Sequence, residues 1–315
     1  MVSLTKTDTA QYLLARDHFA IVTHQRPDGD TLGSAAFLCR GLRQLGKTAH
    51  VLHNPEVTKK YTHLLTGLTK PCAQEGDTVI AVDVAADSML MPGAEDLQVA
   101  LRIDHHRTST AFSDNELVDP LAAACGQIVY DVLMEMGVQL DEPMAIALYT
   151  AISTDTGCFR FANTQSHTLA VAARCAEVIT DLYSLNQALF GLTSLARMRL
   201  QSWLIDHALF LEEGKVVICA LPLEVEQQLG VTEDDMENIS GYPRSIEGVR
   251  IAATLRQNKN GTVKLSVRAT PGYDAGKICA VFGGGGHRGA AGATLHMTMD
   301  DAVQALIAAL PKIEN

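Results

Sequence analysis

Nothing in this chain of 315 residues approaches the roughly 18 consecutive apolar residues that span a bilayer, so no membrane partner is expected. The apolar h-region of a signal peptide is also missing. Residues 1–17 mix Lys6, Asp8, Arg16 and Asp17 with polar residues, which points to the cytoplasm. The seven cysteines (Cys39, Cys72, Cys125, Cys158, Cys175, Cys219 and Cys279) form no C-x-x-C pair. Their odd number and wide spacing argue against a zinc ribbon or a disulfide framework and for reduced, buried thiols. A basic surplus is absent as well: 25 Lys and Arg against 36 Asp and Glu give a formal net charge of −11. Proteins that clamp long nucleic acid carry a basic face, because phosphate contacts dominate that affinity. Long duplexes are therefore not expected partners. Any nucleic-acid substrate should be short and held by a few local cations. Internal repeats are missing too, and the low-complexity content is limited to four consecutive glycines.

What is present is an ordinary globular composition, 47% apolar and 19% charged, in a length that suits two domains. The apolar run 19–23 reads as a buried strand and 24–30 as a turn. Residues 31–45 carry helical periodicity, with Gly46 as the C-cap. Further strands are expected over 49–53, 78–85 and 99–103, and helices over 121–137, 143–153 and 166–179. Strands alternating with helices predict an α/β fold with a doubly wound, mostly parallel sheet over 1–185. Residues 186–212 read as a helical linker. Residues 213–315 read as a smaller α+β domain, with Asn258-Lys259-Asn260-Gly261 as a hairpin turn. The apolar helix 121–137 and the connector could bury a homodimer face or could equally be core.

Carboxylates and histidines cluster where the predicted strands and helices end, and ligands of open α/β sheets bind outside the carboxyl ends of the strands. His24, Asp28 and Asp30 share one turn after the first strand. Asp83 follows Val79-Ile80-Ala81-Val82, Asp104-His105-His106 follow Leu101-Arg102-Ile103, and Asp155 follows an apolar helix. Each alone has an ordinary reading: Asp30 as the N-cap of a helix starting at Thr31, Asp83 as a turn residue, His105 and His106 as a surface pair. Together they suit Mn²⁺, Mg²⁺ or Zn²⁺. Converging carboxylates could hold two ions about 3.5–4 Å apart, with one Asp bridging and a water activated for in-line attack on phosphorus.

His24-x-x-Pro27-Asp28-x-Asp30, Asp83, Asp104-His105-His106 and Asp155 resemble the four motifs of the DHH phosphoesterases. Gly283 to His287, followed by Ala290-Ala291-Gly292, resemble the signature of the DHH-associated C-terminal domain. The resemblance covers about residues 15–310. It implies that His24, Asp28 and Asp83 hold one cation, and that Asp30, Asp83, His105 and Asp155 hold the other, with Mn²⁺ preferred over Mg²⁺, Co²⁺ or Zn²⁺. It further implies that Asp104 orients its neighbours and that His106 faces the substrate phosphate. Ser266 and Arg268, on one face of a strand, resemble a pair that contacts a terminal phosphate. Gly283, Gly284, Gly285 and Gly286 would leave backbone N–H groups open to phosphate, with His287 and Arg288 adding charge.

The short linker and the absence of extra modules are similar to the branch that degrades oligoribonucleotides and dephosphorylates 3′-phosphoadenosine 5′-phosphate. The expected substrates are thus nanoRNA, linear dinucleotides or a mononucleotide bisphosphate. A family II pyrophosphatase, a RecJ-type exonuclease and a non-catalytic nucleotide sensor are the alternatives.

Overall fold

The computed structural model describes residues 2–106, 110–236 and 238–311; the outermost residues of the two expected domains, 1 and 312–315, lie outside these. The chain divides into two compact units, Met1–Leu192 and Thr193–Asn315.

The first unit is built on seven strands, β1 (Val2–Ser3), β2 (Phe19–Val22), β3 (Ala49–Leu52), β4 (Thr69–Lys70), β5 (Thr78–Val82), β6 (Leu101–Asp104) and β7 (Asn115–Val118). They pair in the order β1-β7-β6-β5-β2-β3-β4, every neighbour parallel. The four apolar residues of β2 and the four residues of β3, His50 among them, are buried throughout, as strands covered on both faces require. Five helices, α1 (Lys6–Leu14), α2 (Gly29–Gln44), α3 (Cys125–Glu135), α4 (Glu142–Asp155) and α5 (Ser166–Ala176), contribute to the core on one face. That core takes Phe19, Ile21, Ile80, Val82, Leu101 and Ile103 from the sheet. Ala20, Val22 and Ala81 point the other way, under Val84, Leu90, Met91 and Ala94 of the irregular segment after β5. The apolar side of α3 is thus core rather than a free face: Ile128, Val129, Val132 and Leu133 are all buried.

After β2 the chain moves outward to β3 and β4, then returns to the opposite side of β2 with β5, β6 and β7. The order reverses between β2 and β5, so the crevice outside their carboxyl ends is where such a sheet binds its ligand.

The helical connector expected over 186–212 is not one helix. A short α6 (Leu182–Asn186) runs into one wider helical turn over Gln187–Gly191. Leu192 is extended, and Ser194 caps a new helix, α7 (Leu195–Asp206). Leu200 and Leu204 of α7 are buried against Val217 and Cys219, so α7 belongs to the second unit's core, and 209–211 is a strand.

The second unit is a six-stranded mixed sheet in the order β12-β13-β11-β10-β9-β8. Its elements are β8 (Leu209–Leu211), β9 (Val216–Leu221), α8 (Leu223–Gln228), β10 (Ile251–Gln257), β11 (Val263–Ala269), α9 (Ala275–Ala280), β12 (Gly285–Gly286), β13 (Ala290–Leu295) and α10 (Met299–Ala309). The β10–β11 hairpin closes as expected over Asn258 to Gly261, with Gly261 in the left-handed region. Among the described residues no helix is long and apolar enough to cross a membrane. All seven cysteines are free thiols.

Candidate metal centre

Local structure delivers each acid. Asp28 is the N-cap of α2: its Oδ1 accepts from the backbone N–H groups of Asp30 and Thr31. The helix therefore begins at Gly29, before the expected Thr31, and Asp30 is freed from capping. Asp30 lies instead in the first turn of α2, buried, with Oδ1 accepting from Ser34 Oγ and Gly126 N and Oδ2 accepting from Cys125 N. The two amides are the first of α3, whose N-terminal dipole favours a negative charge there.

Asp83 follows β5 with φ +59, a left-handed backbone that a non-glycine residue holds only when its surroundings fix it. Its N–H donates to the Ile103 carbonyl of the neighbouring strand. Asp155 ends α4, and α4 reaches the site because α2 presents glycine where the two helices touch. A Cβ on Gly29 would come within 2.5 Å of Thr154 Oγ1, and one on Gly33 would strike the Ala147 carbonyl and come within 2.9 Å of Ala151 N.

These elements converge. His105 Nε2 lies 3.6 Å from Asp30 Oδ2, 3.5 Å from Asp83 Oδ1 and 3.7 Å from Asp155 Oδ2. His24 Nε2 lies 3.9 Å from Asp83 Oδ2. Among the described residues, three overlapping groups have ligand atoms close enough to share an ion: His24–Asp28–Asp83, Asp30–His105–Asp155 and Asp83–His105–His106. Asp83 and His105 belong to two groups each. All of the metal-ligand candidates in the sequence, His24, Asp28, Asp30, Asp83, His105 and Asp155, fall within these groups.

The electrostatics are those of a site short of positive charge. Burial, then the neighbouring carboxylates Asp30 and Asp28, push the Asp83 carboxyl well above its ordinary range. Burial raises Asp30, and burial with the adjacent Asp30 lifts Asp155 to about 7. Asp83 Oδ1 is buried without a hydrogen-bond donor. A set of carboxylate oxygens and imidazole nitrogens that crowd one another fits divalent cations, which would reverse these shifts.

Asp104 and His106 form a second tier. His106 Nδ1 lies 2.7 Å from Asp104 Oδ1, which also accepts from the backbone N–H groups of His105 and His106. Burial opposes the charged form of Asp104, but the bonds and charge of His106 and the guanidinium of Arg102 outweigh it and hold the carboxyl low. The bond from Asp104 in turn raises His106.

Several participants were not singled out in the sequence. Arg102 is buried two residues before Asp104 and so faces the same way. Its guanidinium donates to the carbonyls of Ala85 and Thr110 and to Glu116 Oε2, and stands 3.6 Å from Asp104 Oδ2. A cation inside an apolar strand, in phase with an acid, was the available signal. Asn163 donates to the Asp155 and Ala123 carbonyls, and Asn54 to the His24 carbonyl. Thr31 and Ser34 carried no sequence signal beyond their place in an amphipathic helix.

In the second unit, Ser266 of β11 is opposite Gly292 of β13, which is opposite Gly285 of β12; Arg268 is opposite Ala290. Arg268 is half-buried and donates to the Val267 carbonyl, and it meets no carboxylate among the described residues. The expectation of open amides along the glycine run needs correction. Gly283 and Gly284 N–H donate to the Ala280 and Cys279 carbonyls at the end of α9, and His287 N–H donates to Ala290. Glycine is demanded at 284 and 286 by close packing on β13, since a Cβ there would strike Gly292 and Ala291. At Gly285 a Cβ would meet nothing, and His287 and Arg288 are exposed.

Comparison with known proteins agrees with this division. The DHH family N-terminal domain matches residues 18–152, and the DHHA1 domain matches residues 213–313. The chain is 33% identical to the bifunctional oligoribonuclease and PAP phosphatase NrnA of Thermus thermophilus, over 92% of this chain and 88% of that protein. It is 25% identical to the Mycoplasma genitalium protein of the same name, over 89% of each. A probable manganese-dependent inorganic pyrophosphatase of Streptococcus agalactiae is 28% identical, but over 49% of this chain and 53% of its own. An exopolyphosphatase-related protein from Bacteroides fragilis shares the fold with a TM-score of 0.87 at 21% identity, over 96% of this chain and 94% of its own. With a two-domain match and a relative of this identity along nearly its whole length, the chain belongs to the DHH family of phosphoesterases.

Proposed function

We propose that this enzyme hydrolyses short oligoribonucleotides and 3′-phosphoadenosine 5′-phosphate with two divalent cations, Mn²⁺ preferred, in the cytoplasm. The observation that carries the reading is the sharing of Asp83 and His105 among three ligand groups at the point where the strand order reverses. His24, Asp28 and Asp83 would hold one ion. Asp30, Asp83, His105 and Asp155 would hold the other, with Asp83 common to both. Such ions supply a lowered pKa for water and positive charge against the phosphoryl oxygens.

The remaining work falls to the chain's own groups. Asp104 takes the Nδ1 side of His106, which leaves Nε2 for the substrate. The same bond keeps His106 protonated to higher pH than an ordinary imidazole, so it donates to a phosphoryl or leaving oxygen. Arg102 braces Asp104 from beneath. On the second unit, Ser266, Arg268, Gly285, Gly286 and His287 take a substrate phosphate. The guanidinium of Arg268, which meets no carboxylate among the described residues, and the open space over Gly285 support this. The acidic balance of the chain favours ligands with few phosphates.

The test is a product analysis with Mn²⁺ over RNA dimers to pentamers, linear dinucleotides, 3′-phosphoadenosine 5′-phosphate, pyrophosphate and long duplex DNA. Mononucleotide release from the short RNAs and phosphate release from the bisphosphate are expected. Preference for pyrophosphate by a large factor, or equal activity on long duplex DNA, refutes the substrate reading.

A further inference from the structure

Thr31 is fully buried in the first turn of α2, and its hydroxyl does not behave like those of the α4 threonines and their neighbour Thr156. Thr150, Thr154 and Thr156 donate back to carbonyls four residues earlier, the ordinary use of a threonine in a helix. Thr31 Oγ1 instead lies 2.6 Å from His24 Nε2, 2.7 Å from Asp83 Oδ2 and 3.2 Å from Asp28 Oδ1. Those are the three residues of one ligand group.

A hydroxyl has one proton to give. His24 Nδ1 sits 2.5 Å from the Gln25 carbonyl, which commits the ring proton to that side and leaves Nε2 an acceptor. Asp28 Oδ1 is also served by the backbone N–H groups of Asp30 and Thr31, so the shortage falls on His24 Nε2 and Asp83 Oδ2, two acceptors that share the one hydroxyl proton.

The spacing has a second meaning. Ligands bonded to a divalent ion at about 2.1 Å lie about 3 Å apart when adjacent on an octahedron. Oγ1 stands at that kind of distance from all three atoms. We infer that the Thr31 hydroxyl is a further ligand of the cation held by His24, Asp28 and Asp83 and sets how tightly that cation is bound; the inference rests on the two-cation reading above. With its proton on a carboxylate, the hydroxyl turns a lone pair to the ion, as the Ser/Thr of a phosphate-binding loop does to Mg²⁺. A neutral hard oxygen favours Mn²⁺ and Mg²⁺ more than Zn²⁺.

The experiment is titration calorimetry of the full chain, freed of metal with chelator, with Mn²⁺ and separately with Zn²⁺. Wild type, Thr31→Val and Thr31→Ser are compared, with circular dichroism confirming the fold. Two Mn²⁺ ions are expected on the wild type. In Thr31→Val one of the two sites should weaken by about 10–100-fold while the other is kept, Zn²⁺ should suffer less, and Thr31→Ser should stay near the wild type. Unchanged or tighter Mn²⁺ binding by a folded Thr31→Val overturns the inference and leaves the two-cation reading standing. A wild type that binds no Mn²⁺ sinks that reading, and the inference with it. Should valine not fold at this buried position, Thr31→Ala against Thr31→Ser makes the same comparison, both being smaller than threonine.

Discussion

Replacing Asp155 by asparagine should stabilise the cation-free chain while disabling the enzyme. Burial and the adjacent Asp30 lift the Asp155 carboxyl from 3.8 to about 7 in the folded state. A rise of about 3 units corresponds to about 4 kcal/mol at a pH above both values. The side chain keeps 31% of its exposure, and Asp30, Asp83 and Asp155 relieve one another when any of them gains a proton, so the expected effect is ~1–3 kcal/mol. The sign follows from the direction of the shift. A carboxyl raised on folding favours the native state fully below its unfolded pKa, and that contribution is lost as pH climbs through the folded value. In chelator, then, variant and wild type should be equally stable at about pH 4, diverge between about pH 4 and 7, and hold a constant gap above that. Urea unfolding by circular dichroism reads the gap; Trp203, the single tryptophan, lies in the second unit and reports on that unit. Excess Mn²⁺ should reverse the order, since a ligand at a hundred times its dissociation constant adds about 2.7 kcal/mol to the wild type. A variant less stable than the wild type at every pH in chelator would refute the picture of crowded, charge-starved acids.

Asp83→Ala should remove Mn²⁺ binding and hydrolysis together while the chain stays folded, checked by calorimetry and turnover on an RNA dimer. Gly33→Ala should cost about 1–3 kcal/mol of stability, because its Cβ strikes the α4 backbone; a melt unchanged from wild type would contradict the packing described. Arg268→Ala should raise KM for substrates bearing a terminal phosphate far more than it lowers kcat, read by steady-state kinetics with and without that phosphate.

Much of the first unit was legible because its central strands β2 and β5 carry short, wholly apolar runs followed within two residues by a histidine or an acid. Phe19 to Val22 and Val79 to Val82 admit little besides buried parallel strands, and His24 and Asp83 then fall at their carboxyl ends. β7 was not legible: Asn115 to Val118 is four residues of mixed polarity whose pairing comes from β6 and β1, not from its own pattern. The start of α2 was misread by two residues because both Asp28 and Asp30 can cap, and only packing decides that Asp30 turns inward to Ser34 and α3. The ligands were readable as residue types in order. Their support was not, because Arg102, Asn163 and the α3 amides act through contacts between segments far apart in the chain. The glycine run was recognisable, but which of its amides are spent on α9 is a matter of tertiary hydrogen bonding.

The glycine seam between α2 and α4 acts as a gauge for the chemistry. One helix carries Asp28, Asp30 and Thr31, the other ends on Asp155, and how far apart they stand is set by hydrogen atoms where side chains would otherwise be. Engineering this enzyme for robustness by filling that seam with methyl groups would therefore meet a particular penalty. The methyl groups would strike the facing helix and push the two apart, so the acids would be spread and stability and turnover would fall together.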